Sequence, residues 1–363
     1  MSPRLVRTQP SGWPVVGHDR AVAMLRGSIR RDLLTHAYLF TGPAGLGKRT
    51  LALVCAMTLN CQADPVDGMA SQAPGPDAPC GLCSACSRTL RGEHPDVVEV
   101  NLKAQAALAE DGGKGKAPPA KELRIDSIRE MQRTVGLSPY SGRWKVYIIG
   151  DADKMNEEAA NCLLKTLEEP PAQTVLVLLA EDEAGLLPTI ASRCSRVPLR
   201  PLGRELIASS LASEWGADPE QARQLAALSG GRTGWAVSML RDRNALETRS
   251  RTLEDLAVLS GSTVLERINA ATKFAKKHTD ARAELYATLD TWESWWRDVL
   301  AVKAGAPELA QNADQLPALT SVAKRLRPEQ AYEALELVQR TRRQLQENVN
   351  PRLALEALVL GLP

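Results

Sequence analysis

Residues Gly42 to Thr50 read G-P-A-G-L-G-K-R-T. Glycines at 42, 45 and 47 followed by Lys48 make a phosphate cradle, because residues without side chains let backbone N–H groups approach an anion and the lysine adds a positive charge. In a working loop the next residue is Ser or Thr, whose hydroxyl ligates the Mg²⁺ that bridges the nucleotide phosphates. Here that position is Arg49, ahead of Thr50. A guanidinium has donors only and cannot ligate a cation. The pattern therefore retains anion binding by Lys48 and the amides of residues 45–48 while losing one part of metal-assisted hydrolysis. Hydrolysis also needs an acidic residue at a strand end and a group that positions water. Asp151, just past the apolar run 145–150, is the candidate for the first role. The following residue is Ala152, whose methyl group cannot orient water, and Asp153 lies one full extended repeat away.

A second constellation is Cys61, Cys80, Cys83 and Cys86, spaced C-x18-C-x2-C-x2-C. Two-residue gaps let neighbouring thiolates point at one tetrahedral centre about 2.3 Å away, which predicts a Zn²⁺ site closed by Cys61. Gly81 and Ser84 fall in the gaps as turn residues, with no hydrophobic period that would make the thiols core residues. A redox C-x-x-C pair would leave Cys61 without a role. Four thiolates leave no open coordination position, so the metal is expected to be structural. Cys55, Cys162 and Cys194 stand apart in apolar or helical surroundings and read as small buried hydrophobes.

The cradle needs a strand before it and a helix after it. Residues 37–41, A-Y-L-F-T, supply the strand, and 49–59 has helical apolar spacing. Further strands are expected at 96–100, 145–150 and 174–180, with helices at 123–135 and at 156–169, the latter closed by Pro170 and Pro171. Strands alternating with helices behind such a loop imply a parallel, doubly wound sheet. Segments 62–79 and 103–121, rich in Pro, Gly, Ala and Lys, read as solvated insertions without cores, Lys114 and Lys116 included. Past Pro201 the periodicity is almost purely helical, broken by the glycine-rich stretch 229–234. We therefore expect three parts, 1–200, 201–245 and 246–363. In the last, Leu285, Leu289, Trp292, Trp295 or Trp296, and Val299 recur every three or four residues, as a helix core or helix–helix interface requires.

The whole chain sets limits on these readings. It has 363 residues, 44% of them apolar, enough for two or three conventional cores. A formal net charge of +2 gives no overall electrostatic case for wrapping nucleic acid unaided. The N-terminus, 1–13, carries arginines without an apolar stretch, and the longest apolar run, 175–180, is the length of a strand. Neither secretion nor membrane insertion is expected. Seven cysteines, an odd number, argue for a reducing, cytoplasmic setting.

The block N-C-L-L-K-T-L-E-E-P-P at 161–171, followed by L-P-T-I-A-S-R-C at 187–194, resembles the bacterial replicative clamp loader of the AAA+ superfamily. The cysteine module after the loop helix is similar to that family too, with a longer first gap, and N-V-N-P-R-L-A-L at 348–355 resembles its last collar helix. The resemblance implies an AAA+ P-loop domain with a parallel sheet and an inserted zinc module (61–86), then a small helical lid and an all-α collar. Within the family, the departures match the stator-like delta-prime branch better than the ATP-hydrolysing tau or gamma motor. Arg49 and Ala152 replace catalytic groups, Glu181 and Asp182 stand where a motor has a polar sensor threonine, and Gly234 of G-G-R-T-G-W stands near the second sensor arginine, two residues after Arg232. No counterpart of tau's long C-terminal extension is present in the sequence. Arg193 of S-R-C matches the arginine finger that such subunits present in trans to a neighbour's nucleotide. Implied partners are tau/gamma and delta subunits within the DNA polymerase III holoenzyme, with the sliding clamp and primed DNA reached through the complex. ATP or ADP binding without intrinsic hydrolysis is implied. Two alternatives stay open: an active motor subunit in which Thr50 or a water replaces the missing ligand, and a zinc-stabilised scaffold that binds DNA through Arg340, Arg342 and Arg343.

Overall fold

The computed structural model describes residues 12–62, 78–111, 122–242, 244–347 and 349–363. Most of 1–13, most of 62–79, the second half of 103–121 with Lys114 and Lys116, and Asn348 lie outside the described residues. The chain divides into two compact units, one of Met1–Glu214 with Gly231–Trp235, the other of Trp215–Gly230 with Ala236–Pro363.

The first unit runs α1 (Asp19–Arg30), β1 (Ala37–Thr41), α2 (Lys48–Asn60), α3 (Ser84–Arg91), β2 (Val97–Val100), α4 (Leu102–Asp111), α5 (Ile125–Val135), β3 (Lys145–Ile149), α6 (Glu157–Glu168), β4 (Thr174–Ala180), α7 (Pro188–Ala191), β5 (Ser195–Pro198) and α8 (Arg204–Trp215). Five parallel strands lie in the order β2-β3-β4-β1-β5. All seven residues of β4, T-V-L-V-L-L-A, are buried, as a central strand covered on both faces requires. Side chains alternate between the faces. Tyr38, Phe40, Ile148, Val175 and Val177 join α1 and α2 in one core, while Leu39, Tyr147, Ile149, Leu176 and Leu178 meet α5, α6 and α7 in another. The registers Thr41↔Ala180 and Val100↔Ile149 bring the carboxyl ends of four strands to one edge, where loops of a doubly wound sheet converge on ligands.

Two elements go beyond the sequence reading. The stretch 103–121 reads as a solvated insertion without a core, and to that the structure adds a helix in its first part, α4, because the alanine-rich run L-K-A-Q-A-A-L-A favours helix over loop. The edge strand β5 was not anticipated. It is four residues long and ends in Pro198, so it has neither the length nor the alternation that signals a strand, and its place is set by pairing with β1.

The second unit contains α9 (Pro219–Leu228), most of α10 (Thr233–Arg241), α11 (Ala245–Gly261), α12 (Val264–Asp280), α13 (Arg282–Lys303), α14 (Leu316–Arg325), α15 (Pro328–Gln346) and α16 (Pro351–Gly361). Its core is built on α13, whose Leu285, Leu289, Trp292, Trp295, Trp296 and Val299 are all buried, with Phe274 edge-on to Trp292 at 5.4 Å between centroids. The helical period thus reads out as core. Arg342 is paired with Asp290 at 2.6 Å and Glu293 at 3.3 Å, so one of the three arginines set aside for DNA is occupied within its own helical unit. Among the described residues no helix is long and apolar enough to cross a membrane.

Candidate functional site

The loop between β1 and α2 delivers the cradle to the carboxyl edge of the sheet. Gly42 has φ 135°, and a Cβ there would collide with the Leu199 carbonyl oxygen and lie 2.9 Å from Leu46 Cδ1, so only glycine lets the chain turn off β1 at this point. Gly47 caps α2 with a left-handed backbone. His18, itself the residue before α1, donates through Nε2–H to the Leu46 carbonyl at 2.9 Å, and burial lowers its pKa. The loop is also pinned from the glycine-rich stretch: Gly234 N donates to Gly45 O at 2.7 Å, and a Cβ at 234 would sit 2.9 Å from that oxygen. Gly234 is therefore a close-contact residue of the cradle. Arg232 lies over the Trp235 ring at 5.7 Å.

The cleft that opens above the loop encloses about 810 Å³ and is lined by Gly45, Gly47, Lys48, Arg49, Thr50, Asp151, Asp153 and Glu181, among others. Gly42 stands behind it. Lys48 Nζ donates to the carbonyls of Gly42 and, at 3.0 Å, Pro43. Burial lowers its pKa, and the carboxylates of Glu181, Asp153 and Asp151 offset this only in part. Arg49 is bound to Glu99 of β2 through a bidentate pair, Nε to Oε2 and Nη2 to Oε1, both 2.6 Å. Two parallel N–H···O bonds to one carboxylate fix a guanidinium in direction as well as in place. The position that would present a metal-binding hydroxyl is thus filled by an internal ion pair.

Asp151, two residues past the end of β3, has a left-handed backbone at φ 54° and precedes the helical turn 152–154. Its Oδ1 accepts from Lys154 Nζ at 3.0 Å and its Oδ2 from Leu102 N at 3.4 Å. Ala152 is buried. Asp153 accepts from Glu181 N at 3.2 Å, and burial holds its carboxyl above the usual range. Of the two acidic residues at the sensor position, Glu181 lines the cleft, whereas the Asp182 Oδ1 accepts from Ala184 N at 3.1 Å and caps the next helical turn. Along the cleft Lys48, Arg49, Arg91 and Lys103 face Glu99, Asp151, Asp153 and Glu181, four charges of each sign. Such a cleft is internally neutralised and has no surplus of positive charge for phosphates.

The four cysteines converge. Their Sγ atoms lie within 4.8 Å of one another, with Cys61 and Cys83 at 4.0 Å and Cys80 and Cys86 at 3.9 Å. A tetrahedral ion with bonds of about 2.3 Å puts its sulfur ligands about 3.8 Å apart. Backbone N–H groups of Leu82 and Cys83 point at Cys80 Sγ at 3.4 and 3.3 Å. Burial pushes the Cys83 thiol up, yet N–H groups of Cys86 and Gln62 and the adjoining thiols bring it down to about 7. The cluster can hold a metal ion. It spans the end of α2, through Cys61, and the start of α3, through Cys83 and Cys86, and α3 leads to Leu90, Arg91 and Gly92 on the cleft wall. Cys55 and Cys194 behave as expected of buried hydrophobes, and burial pushes their thiols up to about 12 and about 11; Cys162 does not, being half-buried with its Sγ donating to Gln132 Oε1 at 3.0 Å.

Arg193 lies elsewhere. It precedes β5, and Ser195 pairs with Tyr38, at the amino end of β1, whereas the cradle follows the carboxyl end at Thr41. Its Nη2 donates to Glu168 Oε1 at 2.7 Å and its Nη1 to Thr189 O at 2.9 Å. Glu99, Lys154, Glu168 and His18 were not singled out by sequence reasoning. Glu99, Glu168 and His18 act on residues 50, 25 and 28 positions away, farther than any local motif records, with only the L-E-E-P-P block as a hint for Glu168, whereas Lys154 pairs with Asp151 three residues before it.

A family model described as DNA polymerase III, delta subunit, matches residues 17–203, and another, DNA polymerase III, delta subunit, C terminal, matches 243–362. The DNA polymerase III subunit delta' of Bacillus subtilis is 31% identical over 346 residues, 94% of this chain and 95% of that protein. The delta' subunit of Pseudomonas aeruginosa is 35% identical over 228 residues, 62% of this chain and 61% of that protein. The tau subunit of B. subtilis is 25% identical over 368 residues, covering 96% of this chain and 60% of that protein. With both halves matched by these models and a delta' relative aligned nearly end to end, the chain belongs to the delta-prime subunit family of DNA polymerase III.

Proposed function

We propose that this chain is the non-hydrolysing, stator-like subunit of the DNA polymerase III clamp loader, joined there to tau/gamma and delta subunits, and that it contributes Arg193 to a neighbour's ATP site. One observation carries the first half: the bidentate Arg49–Glu99 pair stands where the metal-binding hydroxyl of an active loop would be. Three further features agree with it. Ala152 supplies no group to act on water, Asp151 is committed to Lys154, and the cleft charges cancel. Retained Lys48 and the α2 N-terminus favour static holding of an anion such as the phosphates of ATP or ADP over turnover. For Arg193, the topology favours service in trans, because the sheet separates it from its own cradle.

Cys61, Cys80, Cys83 and Cys86 are assigned a structural Zn²⁺, which would tie the end of α2 to the start of α3 without an open coordination position. The three parts 1–200, 201–245 and 246–363 would then act as an AAA+ P-loop domain, a lid and a collar for oligomerisation, with the sliding clamp and primed DNA engaged by the assembly. The test is reconstitution with the motor and delta subunits. The lone chain is expected to show no ATP turnover, to assemble, and as Arg193→Ala to lower turnover of the assembled loader while remaining folded. Turnover by the isolated chain that Lys48→Ala abolishes would refute the non-hydrolysing reading, and unchanged turnover of the loader with Arg193→Ala would remove the finger.

A further inference from the structure

We propose that Glu168 is a positioning residue for Arg193, a clasp that sets the direction of the guanidinium before a neighbouring subunit's nucleotide reaches it. This rests on the reading of Arg193 as a finger used in trans.

A free arginine side chain samples many rotamers, and a finger left to sample them would be ordered only at the moment of reaction. Here it is held from two elements. Glu168 is the last residue of α6, and Thr189 lies in α7; the Nη2 bond to the first is 2.7 Å and the Nη1 bond to the second carbonyl 2.9 Å. Both anchors are backed by one core, through Leu163 and Leu167 of α6 and Ile190 and Ala191 of α7. Pro170 and Pro171 fix where α6 stops, since neither can continue a helix, so Glu168 stays at the helix end facing the arginine. An arginine has five N–H donors. The two bonds use one on each terminal nitrogen, so among the described residues three N–H groups are left to meet an anion. The side chains of Arg193 and Glu168 are 36% and 50% exposed, so the pair is accessible to a partner and adds little to the stability of this chain. What it supplies is orientation.

The experiment is ATP turnover of the reconstituted loader with this subunit as wild type, Glu168→Ala, Glu168→Gln, Arg193→Ala and the double alanine variant, each checked for thermal stability and assembly. Glu168→Ala is expected to lower kcat about three- to tenfold, the effect of leaving one long side chain to be ordered during reaction, with KM for ATP unchanged. Glu168→Gln keeps an oxygen that accepts from Nη2 and is expected to restore kcat to within about twofold of wild type. The double variant should equal Arg193→Ala alone, since Glu168 acts only through that arginine. Turnover of Glu168→Ala at the wild-type level beside an impaired Arg193→Ala would overturn the clasp and leave the finger standing. An additive loss in the double variant, or a glutamine variant as slow as alanine, would also overturn it. A wild-type rate for Arg193→Ala would remove both readings together.

Discussion

Removing the metal from the cysteine cluster should open one segment and spare the rest of the first unit. The ordered stretch 78–91 has fourteen residues, and fixing each costs about 1 to 1.5 kcal/mol, roughly 14–21 kcal/mol in all. Its own contacts fall short of that. Ala78, Pro79, Ala85 and Cys86 are its buried apolar side chains, worth about 4 kcal/mol together. Four further bonds, among them Thr89 Oγ1 to Ala85 O at 2.8 Å and Ser87 N to Cys83 O at 2.9 Å, add about 1 kcal/mol apiece. Structural zinc contributes about 10–16 kcal/mol in small thiolate sites, which brings the balance to near zero or better. Without it the stretch is unstable by roughly 10 kcal/mol on the same figures. The strands are held independently by Phe40, Ile148, Val175 and Leu178 in the two sheet cores. Amide hydrogen exchange with and without a strong chelator reads this directly, alongside zinc content by mass spectrometry. The expected result is about one zinc per chain and loss of protection over 78–91 on chelation, with β1, β3 and β4 unchanged. Protection of 78–91 that persists in metal-free protein, or a sheet that unfolds with it, would refute the reasoning.

Three other perturbations have outcomes set by the structure. Glu99→Gln frees Arg49 and changes the cleft from balanced to a net single positive charge, so pyrophosphate affinity by calorimetry at low salt should tighten about three- to tenfold, while Arg49→Thr should weaken it; changes of the same sign would contradict the neutralised-cleft account. Burial alone would push Asp96 up, but N–H groups of Tyr140, Ser141 and Gly142, at 2.7, 2.8 and 2.7 Å, hold its carboxyl below the usual 3.8. Its folded pKa is lowered, so its stabilisation is fully present above the unfolded value and is lost as pH falls through the folded one. Asp96→Asn puts an NH₂ against these donors and should cost about 2 kcal/mol in a urea melt at pH 7, and the difference from wild type should shrink below about pH 4; a gap unchanged in acid would count against the charge. Gly42→Ala meets the Leu199 carbonyl oxygen at a positive φ and should cost about 2–4 kcal/mol by denaturant melt, with a wild-type midpoint arguing that the loop can shift.

The legibility of the site followed the distance over which its chemistry is written. The loop 42–50, Ala152 and the spacing of Cys80, Cys83 and Cys86 are contiguous or nearly so, and their meaning depends on side-chain chemistry that no fold can alter. The strands β1, β3 and β4 were equally plain, because burial on both faces demands unbroken apolar runs. β5 escaped because a four-residue edge strand ending in proline has no such demand on its composition. Glu181 and Asp182 part ways because the chain leaves β4 at Ala180: Glu181 stays on the cleft wall, while the Asp182 carboxylate turns to cap the helical turn 183–185, a local hydrogen bond that a motif alignment does not record.

The sequence by itself determined that a phosphate cradle lacks its metal-binding hydroxyl and that Cys80, Cys83 and Cys86 can share one centre, since residue type and short spacing decide both, while the fold brings Cys61 to them. Only the tertiary structure decided what became of the displaced charges. Arg49 and Glu99 are 50 residues apart and Arg193 and Glu168 are 25 apart. Parallel strands and the helices between them bring such pairs together, and no local pattern records which carboxylate a guanidinium will find.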